Sequence, residues 1–121
     1  MAHFELHSRN LAQEQVAHTH DFHQLILATC GVTELSMEGQ GERVTARRGC
    51  LIPSSRPHEY QGDGSNRTLV LDIPVAQLAS LEKGSEIERL FDKPRFFSVP
   101  PALNQLTHAL ANQLEQFFFF F

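Results

Sequence analysis

The chain has no tryptophan, one tyrosine and two methionines in 121 residues. It has two cysteines, Cys30 and Cys50. Both stand among apolar neighbours and are read as reduced, buried thiols. Their number permits one disulfide, but nothing else in the sequence points to secretion. The start, Met1-Ala2-His3-Phe4-Glu5, lacks the basic and then apolar texture of a signal peptide. No apolar run approaches the ~20 residues of a membrane span. The expected location is the cytoplasm. Positive charge is also scarce. Ten Lys and Arg against fourteen Asp and Glu give a net charge of -4. A domain of this balance lacks the basic face that DNA phosphates require, so DNA is not expected to be its direct ligand.

What is present reads first as β-structure. Gln24–Cys30 is a β-compatible run, and Gly31 is expected to break it. Val32–Met37 alternates, and Glu38-Gly39-Gln40-Gly41 has the glycines of a hairpin turn. Val44 marks the returning strand, and Arg47-Arg48-Gly49 is expected to turn again. Cys50-Leu51-Ile52 is short, apolar and stopped by Pro53. His58–Gln61 and Arg67–Ile73 follow, with a loop expected at 63–66. Short strands punctuated by glycine and proline indicate a sandwich or barrel.

The texture changes after Pro74. Val75–Leu81 and Ser85–Phe91 read as short helices, with Ser85 the expected cap ahead of Glu86 and Glu88. The segment 94–99 is extended. Pro100-Pro101 opens a longer helix on which Leu103, Leu106, Leu110 and Leu114 share one face. The expected organisation is a β-barrel over 1–73 and a helical extension over 74–116. The five phenylalanines at 117–121 would be adhesive if exposed, and are read as an artefact without function.

The histidines cluster. His18-Thr19-His20 precedes Asp21-Phe22-His23-Gln24, and Gly31 follows after six residues. Downstream come Gly49, Pro53 and His58. Residues i and i+2 share a strand face, so His18 and His20 are expected to point together into the barrel. His23 points away from Gln24 and is read as a surface or interface residue. Tyr60 shares the face of His58. Arg56 stands near the mouth, where it meets an anionic ligand or is simply solvated.

The set His18, His20, Gln24 and Gly31 resembles the first motif of the cupin family. Gly49, Pro53 and His58 resemble the second, with Ser55 where a glycine is usual. The resemblance spans roughly 17–62. It implies a double-stranded β-helix, the cupin jelly-roll barrel, followed by C-terminal α-helices. In metal-binding cupins these positions hold a divalent ion, which implies His18, His20, Gln24 and His58 as ligands for Zn, Ni, Cu or Fe. Gln24 departs from the usual glutamate and removes a negative charge. A metal-free pocket, in which the same groups and Tyr60 and Arg56 meet a small molecule, stands equally beside it.

The texture of His20–Leu27 and of Arg48–His58 further resembles the sensor domain of AraC-type transcription regulators. That resemblance implies a small-molecule effector, a homodimer, and DNA contact only through a helix-turn-helix domain outside this chain. The dimer face would be Leu103, Leu106, Leu110 and Leu114; packing of that face on the barrel is the alternative. No catalytic residue is assigned. The competing readings are a small metal-dependent cupin enzyme, dioxygenase- or isomerase-like, and a stand-alone small-molecule-binding cupin. His3, His7 and His108 have no motif around them and are read as structural. Arg43, Arg47 and Arg48 are read as a solvated basic group.

Overall fold

The computed structural model describes residues 3–11 and 20–120, without the side chains of 63 and 117–120. The strands are β1 (Glu5–Arg9), β2 (Phe22–Met37), β3 (Gln40–Val44), β4 (Arg48–Ile52), β5 (His58–Pro74) and β6 (Arg95–Ser98). They form one antiparallel sheet in the order β1-β5-β2-β4-β6, with β3 also on β2. Helix α1 is Val75–Ala79, α2 is Gly84–Glu88 with a 3₁₀ turn Arg89–Phe91 after it, and α3 is Pro101–Phe120.

Two sequence breaks turn out to be bends within long strands. Strand β2 continues through Gly31, where the register against β5 shifts on both sides of Cys30. Gly31 has φ +76, and a Cβ there would sit 2.4 Å from the Ser65 carbonyl oxygen. Only glycine fits this bulge. The extra residue exchanges the faces of the strand. Before it, the even positions Gln24, Ile26 and Ala28 are buried; after it, the odd positions Thr33, Leu35 and Met37 are. Strand β5 likewise runs through the expected loop at 63–66, with Gly64 at φ +65.

The bulge curls the sheet, so that both halves of β2 reach one core. Ile26 and Ala28 join Leu35, Met37, Val44, Cys50, Ile52 and Val70 in a single buried cluster. The turn expected after Met37 forms at Glu38-Gly39, both with positive φ. The next turn lies at Ala46-Arg47, one residue earlier than expected, which leaves Arg48 and Gly49 in β4.

Helices cover the outer face. Leu78 of α1 and Phe91 pack against Ile73, Leu51 and Leu71. Burying a side chain such as Leu78 stabilises by about 2 kcal/mol. Ser85 does not cap α2: the cap position is Lys83, with no side-chain hydrogen bond. Helix α3 lies on β2 and β1, with Thr107 and Ala111 its buried residues. Among the described residues no helix is long and apolar enough to cross a membrane.

Candidate functional site

Alternation decides which side chains enter the barrel. On β4, Gly49 faces outward against Leu27 and Phe97, which turns Arg48, Cys50 and Ile52 inward. Pairing of Leu35 with both Glu42 and Tyr60 puts those two residues on the inner face as well. The inner wall therefore carries a part-buried ion pair between Arg48 and Glu42. The Arg48 guanidinium lies 6.0 Å from the centre of the Phe96 ring. Arg48, read as part of a solvated group, keeps 41% of its side chain exposed while it pairs with Glu42. Burial, and after it the Glu42 carboxylate, pushes the Cys50 thiol far above the ordinary thiol range.

At the start of β2 and β5 the structure brings His20, His58 and Tyr60 together. The His20 ring stacks on Phe22 at 4.7 Å and meets His58 at 5.2 Å; His58 lies 6.4 Å from Tyr60. The four rings make a continuous row. His20 is held by its own backbone, whose carbonyl accepts the Ser55 N–H at 2.6 Å. Ser55 adopts φ 62, a tight turn for a residue other than glycine. His58 Nδ1 donates to the Arg56 carbonyl at 3.2 Å, which orients the ring. Such a row offers flat apolar faces with polar edges to a small organic molecule.

The other expected site residues go elsewhere. Gln24 is buried on the inner face, and its Nε2 donates to Asp72 Oδ1 at 2.8 Å. Arg56 is engaged by Glu38 and by the Asp92 carbonyl, at the surface. His18 lies outside the described residues. Of the implied metal set, the structure brings His20 and His58 together, with ring centres 5.2 Å apart, while Gln24 is turned to Asp72. Gln24 presents its N–H to a carboxylate, as a second-layer residue does.

His23 is buried, not superficial. Its ring stacks on Phe91 at 4.3 Å, its Nδ1 accepts the Ser54 N–H at 2.9 Å, and its Nε2 donates to Glu88 at 2.9 Å. It thus joins the β4–β5 loop, next to the ring row, to the helical layer. Sequence reasoning missed this role, although a His at an outward position of a buried strand was a readable signal. It also missed Asp72, which pairs with His7 Nε2 at 3.1 Å. Cys30, expected buried, is exposed beside the bulge.

Further concavities lie beside the ring row and beneath helix α3. A groove of about 370 Å³ follows β3, β2 and β5 beside Glu34, Glu42, Arg43 and Glu59 and reaches Tyr60, the last ring of the row. A leucine-lined crevice of about 160 Å³ separates α3 from Leu25, Leu27, Leu69 and Leu71. On α3 the leucines divide: Leu103 and Leu114 are half-buried, whereas Leu106 and Leu110 are 55% and 40% exposed.

Comparison with known proteins places this geometry. The family described as the AraC-like ligand binding domain matches residues 2–118. The "Probable transcriptional regulator LumQ" of Photobacterium leiognathi is 26% identical over 106 residues, 88% of this chain and 40% of LumQ. The chain therefore spans less than half of that curated relative. Apo ToxT from Vibrio cholerae superposes with a TM-score of 0.62 at 11% identity, over 91% of this chain and 47% of ToxT. Wild-type ToxT bound to an unsaturated fatty acid gives 0.57 at 14% identity, over 88% and 44%. A cupin-2 domain protein from Shewanella frigidimarina gives 0.54 at 16% identity, over 60% and 72%. A curled barrel with its helical layer, matched along nearly its whole length, belongs to the AraC-like ligand-binding domain family.

Proposed function

We propose that this chain is the effector-sensing and dimerisation module of an AraC-type transcription regulator, acting in the cytoplasm. A small organic effector lies against His20, His58 and Tyr60 inside the barrel. DNA is contacted by a part of the protein outside this chain, consistent with the net charge of -4. The observation that carries the reading is the path from the rings to the helices. Ser54 and Ser55 are adjacent, and one is bound to His23 while the other is bound to His20. A ligand that repositions His20 also moves the loop that holds His23 against Phe91 and Glu88. Family membership favours this sensor over a metal-dependent enzyme.

The test is a thermal-shift and calorimetric screen of the tag-free chain with monosaccharides, aromatic carboxylates and unsaturated fatty acids. The last class is included because ToxT has been solved with one. One class is expected to raise Tm, and His58→Ala and Tyr60→Ala to weaken it about tenfold or more, the loss of one to two contacts. Binding that both variants leave unchanged removes the effector from the ring row.

A further inference from the structure

Asp72 is only 3% exposed on the inner face of β5. Among the described residues no lysine or arginine pairs with it. A carboxylate out of water without a full counter-charge is costly, and an amide and an imidazole only soften that cost. Its Oδ1 accepts the Gln24 amide, and its Oδ2 lies 3.1 Å from His7 Nε2. On β1, Glu5 stands two residues from His7 and therefore on the same face, opposite Asp72 in the strand pairing. Its Oε2 is 3.8 Å from the same His7 nitrogen. One ligand atom from each of Glu5, His7 and Asp72 falls within 4.8 Å of the other two.

These separations fit a shared ion. Metal–ligand bonds of ~2.0–2.2 Å in a tetrahedron put ligand atoms about 3.3 Å apart, and the two distances at His7 Nε2 fall either side of that value. We propose that Glu5, His7 and Asp72 bind a divalent transition-metal ion of the Zn²⁺ class, with Gln24 holding Asp72 in place. The donor set selects the class. An imidazole favours Zn²⁺, Co²⁺ or Ni²⁺, and three protein donors poorly serve Ca²⁺, which takes six to eight oxygens. The Glu5 side chain is 50% exposed, which gives the ion a route in and solvent a coordination position. The ion supplies the missing counter-charge to Asp72 and ties β1, an edge strand, to β5. The site shares no residue with the ring row, so it stands or falls separately from the effector reading.

The experiment is a Co²⁺ titration of the tag-free chain followed by visible absorption, with Ca²⁺ in parallel and Zn²⁺ in thermal unfolding. One equivalent of Co²⁺ with a tetrahedral-type band is expected, displaced by Zn²⁺, with a rise in Tm. His7→Gln and Glu5→Gln, on the edge strand, are expected to abolish the band. Gln24→Leu is expected to weaken binding about ten- to a hundredfold. His20→Gln and His58→Gln should leave it intact. Absence of uptake in the unaltered chain overturns the proposal, as does uptake that survives His7→Gln or that is lost in His20→Gln and His58→Gln. Tight Ca²⁺ binding overturns the assigned metal class.

Discussion

Gln24 and Asp72 face one another across the β2–β5 pair, amide to carboxylate, at 2.8 Å. The bond is buried at both ends, so it satisfies a charge that water cannot reach. Gln24→Leu removes the donor and leaves the carboxylate with His7 alone. A loss of about 1–3 kcal/mol is expected, the range for an orphaned buried acceptor. Urea unfolding of the metal-free protein measures it. An unchanged midpoint with an unchanged m-value would show that Asp72 is not held by this bond.

His23 has both ring nitrogens assigned by its partners. Nδ1 accepts the Ser54 N–H, so the ring hydrogen belongs on Nε2, facing Glu88. ¹⁵N spectra of the imidazoles are expected to show this tautomer. His23→Phe keeps the stack on Phe91 but orphans the Ser54 amide, at a cost of about 1–3 kcal/mol. Faster hydrogen exchange at Ser54 and Ser55 in that variant would confirm the source. The Nδ1-protonated tautomer in the unaltered chain would contradict the arrangement.

The two cysteines should behave oppositely. Cys30 is exposed; Cys50 is buried and its thiol is held in the protonated form. Maleimide at pH 8 is expected to label Cys30 alone until the protein unfolds. The same asymmetry sets a pH dependence. The Cys50 pKa is higher folded than unfolded, so its contribution is complete below the ordinary value of 9.0 and declines as pH rises above it. Cys50→Ala should flatten the alkaline loss of stability. Labelling of both thiols at comparable rates in native buffer would refute the burial.

On α3, Leu106 and Thr107 are neighbours with opposite surroundings, 55% and 1% exposed. If Leu106 and Leu110 make the dimer contact, Leu106→Glu produces a monomer and leaves unfolding free energy within about 0.5 kcal/mol. Thr107→Glu instead buries a charge against the sheet and is expected to unfold the domain. Sedimentation of the unaltered chain as a monomer at high concentration would end the dimer proposal.

The barrel and the following helices were legible because each rests on a local pattern: alternation in Val32–Met37, glycines in 38–41, spacing of leucines on α3. The ring row was legible for the same reason, since His20, His58 and Tyr60 keep their parity. What was hidden depends on pairing across distant strands. Gly31 reads as a stop by composition, and only its closeness to Ser65 makes it a bulge. That bulge also carries Cys30 to the surface. Asp72 and His7 are 65 residues apart in sequence, and nothing near either announces the other. Arg48 looks like one of three surface arginines until the glycine after it fixes which side of β4 it takes.

The loop at Ser54-Ser55 is pinned at two adjacent residues. Both of its anchors are main-chain N–H groups, one to a ring nitrogen and one to a carbonyl. The donor groups have no rotamers of their own through which to absorb a displacement. On the proposed effector-sensing reading, a shift of this lip passes as if by a lever from the mouth of the barrel to the histidine wedged beneath the helices. Substitutions at Ser54 or Ser55 that keep their amides leave that lever whole, whereas proline at either position would cut it.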